Sequence, residues 1–302
     1  MTADFFPGFT RQRFITSGAE INALIGGAGP PLLLLHGYPQ THLIWHKIAA
    51  RLAERFTVVA ADLRGYGDSS MPPAGERQTA YAKRAMAQDQ MEVMQALGYE
   101  KFSVVGHDRG ARVAHRMALD HGARIGKLAL LDIVPTLYVY EYMSQAVGTG
   151  YFHWFFLIQP HDFPEHYIGK DPAKWLNGVF GRWGADEGAF PAAVRDEYLR
   201  CFARPEAIRA SCDDYRAAAG IDLDHDRADR GRMIGCPVLV LWGENGLVGK
   251  NYDVLAVWRE RGRDVQGRAL ACGHFLPEEQ PDETLRALVD FLDARAPALA
   301  GG

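Results

Sequence analysis

Apolar runs of strand length alternate along this chain with segments whose apolar residues recur at helical spacing. In the first third, Arg11–Thr16 and Ile21–Gly26 read as two strands meeting near Ser17–Gly18. Pro31–His36 and Phe56–Asp62 read as strands flanking a helical stretch over Ile44–Glu54. A long helical pattern over Ala80–Leu97 is closed by Gly98. The strand Phe102–Gly106, a helix from Arg109 to His121 and the strand Lys127–Asp132 follow. The end of the chain repeats the theme with strands Pro237–Gly243 and Val265–Ala271 and the helix Asp282–Ala294. Continuously apolar strands separated by helices predict an α/β fold with a mostly parallel central sheet, buried on both faces and flanked by helices. Ligands of such sheets gather at the carboxyl ends of the strands.

Residues 136–228 break the alternation. They hold 17 of the 33 aromatic residues and show no strand signal. This predicts a helical cap, or lid, inserted between two core halves, residues 1–135 and 229–302. Asp222–Arg232 is so polar that it reads as a solvated connector, and its aspartates and His225 need no metal to explain them.

Charge and composition narrow the function. The 302 residues include 33 basic and 37 acidic side chains, for a formal charge of −4, with no Lys/Arg block. Phosphate-backbone binding is therefore not expected, and no nucleic-acid partner is expected. Met1–Thr10 contains Asp4 and Pro7 and no continuous apolar run, so no secretory leader is expected. No segment approaches the roughly 20 apolar residues that span a bilayer, so no membrane partner is expected either. Cys201, Cys212, Cys236 and Cys272 form no CxxC pair. They read as buried thiols of a cytoplasmic protein.

The chemistry concentrates in Gly106-His-Asp-Arg-Gly110, which sits between a buried strand and a helix. This is the strand–turn–helix setting of a nucleophile elbow, with Asp108 where serine is usual. A carboxylate is a poor acyl nucleophile, but it can displace a leaving group from saturated carbon and form an alkyl ester. Water must then attack that ester, which calls for a base and an oxyanion hole. His274, in Cys272-Gly-His-Phe275 after the last strand, has the chain position and ordinary pKa for the base. Two acids at strand ends, Asp132 and Glu244, could orient it, and spacing does not choose between them. The backbone N–H groups of Arg109 and of Tyr38, in His36-Gly-Tyr-Pro39, are the expected oxyanion hole, with His36 a structural hydrogen-bonding residue.

Arg109 and Arg112 lie three residues apart at the start of one helix, beside Asp108. A guanidinium fork matches a carboxylate, so they are expected to bind the carboxylate of a small acid substrate. Gly65-Tyr-Gly-Asp-Ser-Ser70 is not a dinucleotide fingerprint, and no phosphate loop occurs. Neither a cofactor nor a metal is expected.

The segments GHDRGARVAHRMALDH, YFHWFFLIQP, SCDDYRAAAGID and CGHFLPEEQPDET closely resemble fluoroacetate dehalogenases of the α/β-hydrolase fold, and the likeness covers nearly the whole chain. The resemblance implies Asp108 as nucleophile, His274 as base and Asp132 as its acid partner. It further implies carboxylate binding by Arg109 and Arg112, fluoride binding by His153, Trp154 and Tyr215, a small haloacid substrate and a homodimer. Tyr38 departs from the phenylalanine common in that family. His153 and Trp154 are neighbours, about 100° apart on a helix, and converge only if a turn or helix end lets them. Epoxide hydrolases share the aspartate elbow and would use a cap tyrosine such as Tyr215, whereas haloalkane dehalogenases place Trp where this chain has Arg109. A receptor that binds a small acid without turnover is the remaining alternative.

Overall fold

The computed structural model describes residues 4–294. Its strands are β1 (Thr10–Ile15), β2 (Glu20–Gly26), β3 (Pro31–Leu35), β4 (Thr57–Ala61), β5 (Phe102–His107), β6 (Ile125–Leu131), β7 (Val238–Gly243) and β8 (Val265–Leu270). They form one sheet in the order β1-β2-β4-β3-β5-β6-β7-β8. β2 runs antiparallel to both of its neighbours, and every pairing from β4 to β8 is parallel. Leu32–Leu35 of β3 and Val58–Ala61 of β4 are completely buried. Successive strand residues face opposite sides of a sheet, so an unbroken buried run means that both faces are covered.

β5 lies between β3 and β6. Its carboxyl end is therefore flanked by the loops leaving those two strands. The elbow after β5, the His36–Pro39 loop after β3 and Asp132 after β6 meet at one edge of the sheet for this topological reason.

Residues 136–228 are helical, and among those described no strand interrupts them. Their aromatic side chains pack on each other, as in the stacked pairs Phe180–Phe190 at 4.5 Å and Tyr151–Trp154 at 4.8 Å. All four cysteines are free and buried. Among the described residues no helix is long and apolar enough to cross a membrane.

Three expectations need correction. Asp222–Arg232 is a solvated connector only at its end, Arg230–Arg232, because Ile221–Ala228 is a helix with Asp222 and Leu223 buried. Asp222 accepts the backbone N–H of Lys83 at 2.8 Å, and Asp226 pairs with the buried Arg116 at 2.8 Å. Polar residues matched by buried cations read, in sequence, like polar residues in water. The stretch Ile44–Glu54 is a 3-10 turn over His42–Trp45 and a separate short helix over Ala49–Ala53. Ile44, Trp45, Ile48 and Leu52 are all fully buried, so packing against the core holds a segment that is not one continuous helix. The helix expected over Ala80–Leu97 begins only at Lys83, because Ala80 and Tyr81 end a 3-10 turn and Ala82 has extended backbone angles, φ −57° and ψ 141°. Gly98 does close that helix, at φ 82°.

Candidate active site

Asp108 sits at φ 46° and ψ −113°, between β5 and the helix Arg109–Asp120. A non-glycine residue held there stores strain on the order of 1–3 kcal/mol. Its neighbours explain how the turn closes. A Cβ on Gly110 would run into the backbone carbonyls of Leu35 and His36, and one on Gly37 would strike the Asp108 side chain. The elbow and the loop after β3 approach so closely that only glycine fits at either position.

This approach brings the backbone N–H of Tyr38 to Oδ1 of Asp108, at 2.9 Å. One carboxylate oxygen thus already meets one of the two expected oxyanion-hole donors. The other, Oδ2, faces Nε2 of His274 at 4.0 Å. His274 Nδ1 lies 2.6 Å from Oδ2 of Asp132, whose Oδ1 accepts the N–H of Gly243 at 2.9 Å. Glu244 is exposed, so the structure pairs His274 with Asp132. His36 is buried, and its Nε2 accepts the N–H of Leu63 at 3.0 Å, in keeping with a structural role.

Electrostatics shift the carboxylate at the elbow and the neighbouring imidazole in opposite directions. Burial works against ionisation of Asp108, yet His274, His107, Arg112 and Arg109 together hold its carboxyl below the usual range. Burial also disfavours a charged His274, but the hydrogen bond and charge of Asp132, with Asp108, raise it above an ordinary imidazole. Burial drives His153 down to about 3, so near neutrality its ring is uncharged.

A cavity of about 370 Å³ opens onto Asp108, Asp132, His153 and His274, with Tyr151, Trp183 and the exposed Arg182 and Lys250 also in its wall. Arg109, Arg112, Trp154 and Tyr215 do not line it. They form a packed, buried cluster alongside. The Arg109 guanidinium lies 4.2 Å over the Tyr215 ring, and that of Arg112 lies 4.8 Å over Trp154. His153 and Trp154, in the six-residue helix Phe152–Leu157, both reach Tyr215, with ring centroids at 5.6 and 6.4 Å. Among the described residues, Nη1 of Arg109, Nε of Arg112 and Nδ1 of His153 are buried without hydrogen-bond partners. Buried polar groups are rarely left so, and each calls for a partner such as a bound ligand or water.

A family model described as the alpha/beta hydrolase fold matches residues 30–281. The chain belongs to the α/β-hydrolase family. It is 44% identical over 293 residues to a fluoroacetate dehalogenase from Burkholderia sp, covering 96% of each chain. It is 33% identical over 287 residues to a soluble epoxide hydrolase from Corynebacterium sp. (strain C12), covering 93% of this chain and 96% of the relative. The crystal structure of ALR0039 from Nostoc sp PCC 7120 superposes with a TM-score of 0.94 at 58% identity, covering 95% of this chain and 99% of that one.

Two charged residues of this α/β hydrolase escape a reading by motif. Asp214 accepts from Nε and Nη2 of Arg109 at 2.9 and 2.7 Å, from the Tyr66 hydroxyl at 2.6 Å, and from the buried Lys83 ammonium. Burial opposes its ionisation, but Arg109 and Lys83 prevail and hold it well below the carboxylate range. The available signal was the doublet Asp213–Asp214 directly before Tyr215, in a helix whose other residues are largely apolar or small. Nothing in the sequence around Lys83 announces its part. Among the described residues no group of three or more His, Cys, Asp and Glu side chains is arranged to hold a metal ion.

Proposed function

We propose that this hydrolase is a haloacetate dehalogenase that converts fluoroacetate to glycolate and fluoride. The observation that carries the reading is the pair of buried arginine N–H groups without partners, next to an ionised aspartate at the elbow. They suit the carboxylate of an acid short enough to place its halogen-bearing carbon at Asp108. The 44% identity to a fluoroacetate dehalogenase supports the same substrate class.

In this mechanism Oδ2 of Asp108 attacks the CH2 carbon as the C–F bond breaks, and fluoride leaves with the bonding pair. Hydrogen bonds from His153, Trp154 and Tyr215 stabilise the charge that develops on fluorine. Oδ1 becomes the ester carbonyl oxygen, already held by the N–H of Tyr38. His274, too far from Oδ2 for a direct hydrogen bond, takes a proton from a water that attacks Cγ. The tetrahedral oxyanion sits on Oδ1, between the N–H groups of Tyr38 and Arg109. Its collapse expels glycolate, which takes the proton from His274, and Asp108, left as the acid, gives up the second proton of that water to solvent and returns to a carboxylate. Residues 136–228 serve as the cap that shuts water away from the first step, over a core made of 1–135 and 229–302.

Epoxide hydrolysis is the second reading, favoured by the 33% identity to an epoxide hydrolase and by the presence of Tyr215 in the cap. Arg109 directly after the nucleophile argues for an anionic substrate instead. A receptor role leaves the Asp108, His274 and Asp132 arrangement without a purpose.

The decisive test combines two measurements. Fluoroacetate should release fluoride at an electrode, while styrene oxide should not turn over. His274→Ala should stop after the first step and carry a carboxymethyl ester on Asp108, visible by mass spectrometry. An unmodified His274→Ala protein after incubation, or turnover of the epoxide alone, defeats the reading.

A further inference from the structure

We infer that Glu279 is a positioning residue for the base, a buried carboxylate that fastens the His274 loop both to itself and to the helical segment facing it. The inference rests on the dehalogenase reading for the chemical step it affects. Glu279 closes the short helix Leu276–Glu279 and is 8% exposed. Its Oε2 accepts the N–H of Gly273 at 2.8 Å and that of Ala185 at 2.7 Å, and its Oε1 accepts the N–H of Phe275 at 2.8 Å. The residues on either side of His274 are thereby tied to one side chain. The N–H of His274 itself goes to the carbonyl of Trp183, at 2.9 Å. All three consecutive amides, 273 to 275, are committed, and two of the four bonds reach the end of the helix Pro172–Trp183 and the residues just past it.

Burying an ionised carboxylate is costly unless charges or hydrogen bonds compensate it. Among the described residues Glu279 has no cation within salt-bridge distance, so the three amides supply its compensation. Hydrogen bonds to a charged acceptor are roughly twice as strong as neutral ones. The neighbouring Glu278 is turned elsewhere, toward the Tyr198 hydroxyl and Gln40. Two adjacent buried glutamates on one helix therefore do different things, and only one of them grips the loop of the base.

Of the side chains assigned to the two chemical steps, His274 is the one that these bonds hold. A catalytic group must be held within about 0.5 Å and 10–20° of its working geometry. If the loop shifts, the 2.6 Å contact to Asp132 and the 4.0 Å spacing to Asp108 change together. Attack by Asp108 on substrate does not use His274, whereas ester hydrolysis does. Loss of the Glu279 grip should therefore slow the second step and spare the first, a separation that general destabilisation does not produce.

Rapid-quench measurement of fluoride in the first turnover of fluoroacetate, with mass spectrometry of the protein, reads the two steps apart. For Glu279→Gln, first-turnover fluoride release should stay within about threefold of the parent. Ester hydrolysis should slow tenfold or more, so that adduct accumulates on Asp108. Glu279→Asp keeps the charge but shortens its reach, and should slow hydrolysis to an intermediate extent. Glu278→Gln should accumulate no adduct. Equal slowing of both steps in Glu279→Gln, no slowing of either, or failure of both Glu279 variants to fold overturns the positioning role. His274→Ala, run alongside, separates the two ideas. Adduct in His274→Ala with none in Glu279→Gln overturns the role of Glu279 alone, whereas no adduct in either overturns the dehalogenase mechanism as well.

Discussion

Asp214 grips Arg109 by two nitrogens, Nε at 2.9 Å and Nη2 at 2.7 Å, and the remaining Nη1 is buried and unclaimed among the described residues. The side chain expected to bind substrate is thus aimed by a residue on the neighbouring helix Pro205–Ala219. Tyr215, the next residue along, stacks on the same guanidinium. The proposed carboxylate-binding and fluoride-binding arms are braced against each other.

Removing Asp214 should therefore cost both stability and substrate binding. Asp214→Ala leaves Arg109 and Lys83 buried without their shared counter-charge, and breaking a buried pair in this way costs about 3–5 kcal/mol. Urea unfolding should show that loss. Asp214→Asn retains the shape, and in the folded protein it should raise KM for fluoroacetate about tenfold or more. An unchanged KM would mean that Arg109 needs no such anchor.

Tyr215→Phe should distinguish one halogen from another. Hydrogen bonds to a charged group contribute roughly 1.5–3 kcal/mol, and each 1.4 kcal/mol is about a factor of ten in rate. Turnover of fluoroacetate should fall about 10- to 100-fold. Chloroacetate should lose less, because chloride is the better leaving group and its charge is more diffuse. Halide release from both acids, measured in parallel, checks the difference, and equal losses would remove Tyr215 from the fluoride site.

Acid should act on this protein in two ways. Burial pushes His107 and His153 down to about 3 and His115 to about 4. In the unfolded chain each returns to about 6.5. Between those values the unfolded state binds more protons, so stability falls as pH drops. The loss should begin between about pH 6.5 and 5, before most carboxylates titrate, and denaturant midpoints across that range test it. His274 is shifted the other way: burial opposes its charge, but Asp132 and Asp108 overcome that and raise it. A base must be neutral to accept a proton, so the acid limb of ester hydrolysis should lie above about pH 6.5. A limb well below that would speak against His274 as the base.

Much of this enzyme can be read from the linear chain because its central strands are buried on both faces and its key turns are local. Strand-length segments located every strand to within a residue or two, apolar in the middle of the sheet and mixed at its partly exposed edges β1 and β8. Gly106, Asp108 and Gly110 announced the elbow, since a sharp turn between a strand and a helix restricts residues that are close in sequence. Spacing alone left Asp132 and Glu244 open and only the family resemblance favoured Asp132, because both follow strands and the sheet order decides which carboxylate reaches His274. The same holds for Asp214 with Arg109, for Glu279 with Ala185, and for the helix Ile221–Ala228 mistaken for a solvated connector. In each case the deciding contact joins residues far apart in the chain. A charged side chain in a sequence looks the same whether water or a buried counter-charge satisfies it, and only the folded packing reveals which.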